Sequence, residues 1–492
     1  MMENASINAA LAASDCWSDV SGASFTVVGL GKSGISAANA LCRRGADVFC
    51  MDDKPEAELQ GALKALDARI QVQCGGGPLG RRGDLFILSP GIAPHTRLFR
   101  DIRGVALAML SEVELFYRLD RAALDGRGHP MAAISGTDGK TTTTLWTAHL
   151  LAAGGLHAVV GGNIGDPLCD FLDDLKDNDV IVAEISGFQL LTCSALRPRV
   201  AVVTNIAADH VDYFSGDTEA YITTKMRVQD RMGPGDAFFI NADDPELEPH
   251  RQRLQAGVPF AWSPFSTQGV PERGLGFDGV NLCWSLGKDA CVPILPAAEL
   301  GSLGRHPITG LHNVENALSA VGMALALGVP LDAIRQGLRT FSLPAHRIEP
   351  VGAIGQVRFV DDSKATNPHA AIAGLRAMQL AAGDKLVWVG GGSDKEADFA
   401  ELGSVVAELG ATALLIGQTA GAIDAVLPAS VTRERCQSLE EAVARGLQLA
   451  SPAGVVLLSP ACASYDMFRS YVHRGEVFAT AVQRLSAAIA GH

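Results

Sequence analysis

The chain reads as three α/β domains in tandem: a Rossmann-like N-terminal domain, a central P-loop ATPase-like domain with a β-rich insertion, and a Rossmann-like C-terminal domain. Three observations lead there. Short apolar runs alternate with stretches of helical periodicity, the pattern of a parallel sheet wound with helices. That pattern restarts twice, at Met131 and after Pro344. The length of 492 residues suits about three domains at roughly 150 residues each. The boundaries are placed at 1–111, 112–343 and 344–492.

Composition narrows the function classes. A hydrophobic content of 48% supports large cores and excludes a disordered chain. The net charge is -14, with Lys and Arg scattered, which argues against nucleic acid or an anionic membrane as the main partner. Ten cysteines occur without a C-x-x-C pair, so neither a zinc knuckle nor a disulfide framework is expected, and the reading is reduced thiols in a cytosolic protein. Residues 1–22 carry no Lys or Arg, unlike a secretion signal. The uncharged stretch Ala317 to Leu331 is interrupted by Gly322, Gly328 and Pro330. It reads as a buried helix and its end, not a bilayer span. The expected partners are small molecules, with no nucleic acid and no membrane insertion, and the expected state is a monomer.

In the N-terminal domain, residues 1–23 read as a loose extension. The apolar run Phe25 to Val28 then enters Gly29-Leu30-Gly31-Lys32-Ser33-Gly34, followed by a helical stretch to Arg44. The spacing fits G-x-G-x-x-G, and Asp52 and Asp53 come about twenty residues later, as in dinucleotide folds where an acidic residue meets a ribose or base. The same turn also serves another nucleotide, or simply packs a helix tightly on a strand. Ser89-Pro90-Gly91-Ile92 follows the run Leu85 to Leu88 and lines the same carboxyl-end crevice.

The central domain carries the most informative segment. Met131 to Ile134 runs into Ser135-Gly136-Thr137-Asp138-Gly139-Lys140-Thr141-Thr142 and a helix through Leu150. Backbone N–H groups of such a loop cradle phosphates, Lys140 supplies a point charge and the Thr141 hydroxyl can hold Mg2+. The full motif wants a glycine five places before Gly139, where Ile134 stands, so this is a shortened P-loop. Downstream lie Gly161-Gly162-Asn163-Ile164-Gly165, Glu184-Ile185-Ser186-Gly187-Phe188-Gln189, Asp209-His210 and Lys225. Glu184 and His210 follow β-runs, and a carboxylate and an imidazole there suit Mg2+ held largely by oxygen ligands and phosphates. Residues 258–310 read as the β-rich insertion, and a long helix follows from Asn313.

The C-terminal domain gathers His346-Arg347, Asp361-Asp362-Ser363-Lys364-Ala365-Thr366-Asn367, Gly390-Gly391-Gly392-Ser393-Asp394-Lys395 and Ser459-Pro460-Ala461-Cys462-Ala463-Ser464. The last three sets follow apolar runs. Polar loops at one edge of a parallel sheet make a crevice, here suited to a small carboxylate or a nucleotide phosphate.

Taken together, Gly136 to Thr141, the Gly-Gly-Asn-Ile-Gly turn, Asp209-His210, Gly310 to Asn316, His346-Arg347, Asp362 to Asn367, Ser459 to Ser464 and Arg474 to Phe478 resemble the Mur ligase family, over about residues 25–485. The resemblance implies a bacterial cytoplasmic enzyme of peptidoglycan precursor synthesis. It would be an ATP-dependent amide ligase joining D-glutamate to UDP-N-acetylmuramoyl-L-alanine through an acyl phosphate, with two Mg2+ ions. It implies ATP contacts from Gly136, Thr137, Asp138, Gly139, Lys140, Thr141, Thr142, Asn313, Asn316, Arg347 and Asp362. Metal contacts would come from Thr141, Glu184, His210 and a carbamylated Lys225. Lys140, His210, Lys225 and Arg347 would act in catalysis. Ser33, Asp52, Asp53, Gly91, Asn163, Ser186 and Gln189 would hold the uridine substrate, and Thr366, Lys395, Ser464 and Tyr471 the glutamate. Five positions depart from the family pattern: Lys32 where an apolar residue is usual, Asp138 for Asn, Gly187 for Ser, and Tyr465 and Tyr471 where apolar or Phe residues are usual.

The alternatives are a family member that adds L-glutamate or another amino acid, or that polyglutamylates folate. From other classes come an NAD-dependent oxidoreductase using the first glycine loop, and a non-catalytic nucleotide sensor. The oxidoreductase leaves Lys140, His210 and the third domain without a purpose.

Overall fold

A computed structural model describes residues 2–77, 79, 84–207, 214, 217–287, 290–393 and 397–490. The chain divides into two compact units, Met1–Ile294 with Glu315–Gly337, and Leu295–Val314 with Leu338–His492.

The first unit holds two sheets. One contains β1 (Ser24–Val28), β2 (Asp47–Asp52), β3 (Gln71–Cys74), β4 (Leu85–Leu88) and β5 (Ala108–Leu110) in the order β3-β2-β1-β4-β5. Every pairing in it is parallel. β1 and β4 are buried throughout, as strands covered on both faces must be. The chain winds outward from β1 in both directions, so the switch point lies between β1 and β4, where open α/β sheets bind ligands.

Residues 5–23 differ from the loose extension expected. The helix Met2–Ala12 docks through Asn8, whose side chain accepts from Ser24 N at 3.0 Å. Trp17 and Val20 are buried, and the Trp17 indole N–H donates to Leu11 O at 2.9 Å. Arg118 lies over the Trp17 ring at 5.3 Å. An indole this size must be covered once a neighbouring apolar face is available, so the segment is built into the core.

The second sheet contains β6 (Met131–Ser135), β7 (His157–Gly162), β8 (Asp179–Glu184), β9 (Val200–Val203), β10 (Ala237–Asn241), β11 (Ala261–Ser266), β12 (Arg273–Phe277), β13 (Asn281–Leu286) and β14 (Cys291–Pro296). Its order is β14-β13-β12-β11-β10-β9-β6-β8-β7. The β-rich segment is therefore an extension of the central sheet: β11 pairs parallel with β10, and β12 turns antiparallel into β13.

The second unit holds β15 (Glu349–Ile354), β16 (Gln356–Asp361), β17 (Lys385–Gly390), β18 (Thr412–Leu415), β19 (Arg433–Arg435) and β20 (Ala453–Leu458). The order is β15-β16-β20-β17-β18-β19, with β15 the antiparallel edge. β16, β20 and β17 are parallel neighbours. Their following loops, which carry Asp362 to Asn367, Ser459 to Ser464 and Gly391 to Ser393, therefore share one edge of the sheet.

Candidate active site

β6 is wholly buried and delivers the chain into the phosphate loop. Gly136 sits at φ 134°, and a Cβ there would stand 2.0 Å from Thr204 Oγ1; Gly139 sits at φ 76°, and its Cβ would stand 2.1 Å from Asn316 Oδ1. Only glycine fits both the dihedral and the space. Main-chain and side-chain anchors from the end of β9 fix the loop. Thr137 N donates to Asn205 O at 2.8 Å, Asp138 N to Asn205 Oδ1 at 2.9 Å, and Thr204 Oγ1 to Asp138 O at 2.7 Å. Asp138 is thus held by its backbone, so the exchange of the usual Asn for Asp leaves these anchors in place. The helix Lys140–Ala153 starts at Gly139 with no side-chain cap among the described residues, which leaves its first N–H groups to an anion. Lys140 Nζ rests on Thr137 O at 2.5 Å. Thr141 is half-buried and Thr142 buried.

Beside this loop stands Glu184. Strand register pairs Ile134 with Glu184, which sets the carboxylate at the sheet edge where the phosphate loop begins. Glu184 is buried; Asn163 Nδ2 donates to its Oε1 at 2.8 Å, while Oε2 has no hydrogen-bond partner among the described residues. A buried carboxylate oxygen without a donor is costly, and a Mg2+ ion bound by hard oxygen ligands satisfies it. The donor set present therefore fits a magnesium ion. Lys225, on the helix Thr218–Met226, is buried, donates to Gly136 O at 2.5 Å and lies over the Tyr221 ring at 4.5 Å. The Tyr221 hydroxyl meets Thr137 Oγ1 at 2.9 Å. A Cβ on Gly187 would come 3.6 Å from Lys225 Cγ, so the glycine that replaces the usual Ser borders this lysine. Ser186 and Gln189 satisfy each other as a capping box. Asp209 and His210 lie outside the described residues.

At the first sheet's switch point a cleft of about 460 Å³ is lined by Gly29, Gly31, Lys32, Ser33, Asp52, Asp53, Ser89 and Gly91, among others. Its two acidic residues do different work. Asp52 accepts from Leu30 N at 2.7 Å and Lys54 N at 2.9 Å, so it clamps the glycine turn. Asp53 leaves the cleft a carboxylate free of that clamp. Gly34 is required by packing, since a Cβ would fall 1.9 Å from Gly29 O.

In the second unit, Arg347 lies between two non-glycine residues in left-handed conformations, His346 (φ 63°) and Ile348 (φ 47°). Such conformations persist only where their surroundings over-determine them. Here Asp361 Oδ2 holds His346 Nδ1 at 2.7 Å and Glu349 Oε2 accepts from His346 N at 2.8 Å. The Asp361 bond raises the imidazole pKa above its ordinary value. Asp362 is buried, which pushes its carboxyl up to about 7, against the lowering effects of the Ser459 hydroxyl (2.7 Å) and the nearby Arg347 charge. Asn313 bonds Thr309 O through Nδ2 at 2.8 Å. Asn316, in the first unit, accepts from Thr143 Oγ1 at 3.3 Å; both belong to the helix Leu311–Ala326. Ser464 is buried, Thr366 half-buried and Tyr465 77% exposed. Lys395 lies outside the described residues.

Family models match three segments. These are "Mur ligase MurD-like, N-terminal domain" over residues 23–108, "Mur ligase middle domain" over 134–324, and "Mur ligase, glutamate ligase domain" over 346–462. Among relatives, the UDP-N-acetylmuramoylalanine--D-glutamate ligase of Pelotomaculum thermopropionicum is 36% identical over 92% of this chain and 95% of that protein. The chain belongs to the Mur ligase family. The enzyme of the same name from Acidobacterium capsulatum is 38% identical over 94% of this chain and 96% of its own. Solved structures share the fold of this Mur ligase. MurF from Acinetobacter baumannii gives a TM-score of 0.58 at 19% identity, covering 96% of this chain and 92% of that one. MurC from Thermotoga maritima gives 0.54 at 19%, covering 94% and 99%. Mur ligases use ATP and Mg2+.

Two features of this Mur ligase escaped the sequence reading. Arg474, fully buried on the helix Tyr471–Ala490, donates to Ser363 Oγ (2.9 Å), Ser363 O (2.9 Å), Cys462 O (3.0 Å) and Ala463 O (3.3 Å). It ties the loop after β16 to the loop after β20, and burial lowers its pKa to about 10. Lys364 lies over the Tyr471 ring at 4.1 Å. Arg474 stood within a quoted motif, but nothing in a linear sequence shows that a helix arginine points inward.

Proposed function

We propose that this Mur ligase adds D-glutamate to UDP-N-acetylmuramoyl-L-alanine at the expense of ATP, in peptidoglycan precursor synthesis. The relatives named for this reaction span nearly the whole chain. The single structural observation that carries the chemistry is Glu184 Oε2, buried beside the phosphate loop without a hydrogen-bond partner among the described residues. The alanine carboxylate takes the γ-phosphoryl group, and the glutamate amine then attacks the carbonyl carbon of that acyl phosphate. The C–N bond forms as the C–O bond to phosphate breaks, leaving an amide, ADP and phosphate.

Such transfer needs positioning and charge compensation more than covalent help from the protein. Gly136 to Thr142 cradle the phosphates, and Lys140 leaves its Thr137 carbonyl to meet the γ-phosphate. Thr141 and Glu184 would hold one Mg2+ and His210 a second, and the ions would supply neutralisation of phosphate charge. Lys225 serves as a carbamate; its remaining N–H keeps the Gly136 carbonyl as acceptor, while the added carboxylate supplies the negative charge a metal pair favours. Ser33, Asp53 and Gly91 receive the uridine nucleotide, with Asp52 setting their turn, and Asn163, Ser186 and Gln189 serve the sugar–alanine end. Asn313, Asn316, Arg347 and Asp362 serve ATP. Thr366, Lys395, Ser464 and Tyr471 receive glutamate. We place the protein in the bacterial cytoplasm as a monomer; among the described residues no helix is long and apolar enough to cross a membrane.

The test is phosphate release from ATP and Mg2+ with UDP-N-acetylmuramoyl-L-alanine, comparing D-glutamate, L-glutamate and no amino acid. Release that depends on D-glutamate is expected. Release with L-glutamate alone would move the error to the amino-acid pocket, and release with neither would remove the assigned reaction.

A further inference from the structure

The glycine turn of the first cleft carries a residue to which the reaction above gives no task. Lys32 is the first residue of the helix Lys32–Arg43, whose N-cap Gly31 provides no side-chain cap and whose first turn holds no acidic residue. Lys32 is exposed and lines the cleft of about 460 Å³ next to Ser33. Among the described residues it has no hydrogen-bond or ion-pair partner. Asp52, in the same cleft, does not neutralise it, because both Asp52 oxygens are taken, Oδ2 by Leu30 N at 2.7 Å and Oδ1 by Lys54 N at 2.9 Å. A cation in the first turn of a helix opposes the macrodipole. The position is therefore unfavourable until an anion arrives.

Gly31 supplies an independent observation. Its backbone is extended, at φ -73° and ψ -179°, a conformation open to any residue. A Cβ built on it would meet nothing within 4 Å. Neither dihedral nor packing demands this glycine, whereas Gly34 of the same turn is fixed by its contact with Gly29 O. A side chain at position 31 would fill only the open space over the turn. That is where a dinucleotide-type fold brings a phosphate against the backbone.

We propose that Lys32 is a specificity-determining residue of this cleft, its ammonium pairing with the diphosphate of the uridine substrate where that group passes over Gly31. Asp53 then serves the ribose or base, as the acidic residue of dinucleotide folds does. The proposal rests on the reading of this cleft as the uridine-nucleotide site and goes beyond it by giving one side chain the recognition of the diphosphate. Two consequences follow from the charge. Lys32 favours UDP over UMP, which carries one phosphate fewer. Its contribution fades with salt, because an exposed ion pair is screened.

The experiment compares the full-length wild type with Lys32→Met, which keeps the length of the side chain and removes the charge, and with Lys32→Arg, which keeps the charge. Steady-state kinetics with UDP-N-acetylmuramoyl-L-alanine are measured at about 20 mM and about 300 mM KCl, and calorimetry gives the binding of UDP and UMP. At low salt, Lys32→Met should raise the KM for the uridine substrate by about 5-fold with kcat unaltered. The difference should shrink at high salt, Lys32→Arg should restore the KM, and the preference for UDP over UMP should fall in Lys32→Met. Free of ligand, Lys32→Met should melt no lower than the wild type, since it removes a cation from a helix N-terminus. If the wild type binds UDP and Lys32→Met matches it in KM and salt dependence, the proposal is overturned and the uridine reading stands. A Lys32→Met chain that melts lower and loses kcat together with KM would make the residue structural and also overturn it. A wild type that binds neither UDP nor the uridine substrate would remove the uridine reading of the cleft, and the proposal with it.

Discussion

Lys225 Nζ donates to the carbonyl of Gly136 at 2.5 Å, so a buried lysine is bonded to the first glycine of the phosphate loop. A Lys225→Ala variant removes both that bond and the proposed carbamate. Turnover should fall by about 100-fold or more, and millimolar acetate should restore part of it, because a small carboxylate can take the vacated place. Full activity without acetate would remove Lys225 from the chemistry.

Asn163 fixes Glu184 through one oxygen, and the other has no hydrogen-bond partner among the described residues. Outer partners of this kind orient a metal-binding carboxylate. Asn163→Ala should raise the Mg2+ concentration for half-maximal activity by about 10–100-fold. An unchanged Mg2+ titration would show that Asn163 does not orient the carboxylate.

Arg474 joins the loops that carry Thr366 and Ser464. Arg474→Met leaves buried carbonyls without donors, at about 1–3 kcal/mol for each acceptor left unsatisfied. Urea unfolding should show that loss. The KM for D-glutamate should rise by up to about 100-fold as the loops drift. A destabilised variant with an unchanged KM would make the role purely structural.

Glu112 is buried, with Oε1 accepting from Cys169 N at 2.6 Å and Oε2 without a partner among the described residues. Desolvation pushes its pKa from the ordinary 4.5 up to about 7. A raised folded-state pKa means that the folded chain favours the protonated form. The stabilisation is complete below about 4.5 and is lost as pH rises through about 7. Glu112→Gln, neutral at every pH, should therefore gain on the wild type above pH 7 by about 2–3 kcal/mol. The two should converge near pH 4 to 5 in denaturant titrations. Parallel pH profiles would show that Glu112 does not carry this linkage.

The fold class and the glycine loop of the central domain were legible in the chain. Parallel strands buried on both faces must be continuous apolar runs, so β1, β4, β6, β8 and β9 announce themselves, and Gly136 and Gly139 mark places where no side chain fits. β3 (Gln71–Cys74) and β19 (Arg433–Arg435) are polar edge strands, and the backbone pairing that places them leaves no compositional trace. The docking of Trp17 was likewise hidden, because a single aromatic in a polar segment shows what it can bury but not against what.

By itself the sequence determined the three α/β repeats, the phosphate loop, and the membership in a family whose motifs recur in order. Those features rest on local periodicity and on residue types that one conformation demands. Only the tertiary structure decided that, of two adjacent aspartates lining the cleft, Asp52 is the one that clamps the glycine turn. It also decided that one Glu184 oxygen is left without a partner among the described residues and that Arg474 turns inward. Each of these depends on the direction of a side chain relative to a distant strand, a relation created when the sheet closes and absent from any window of the linear chain.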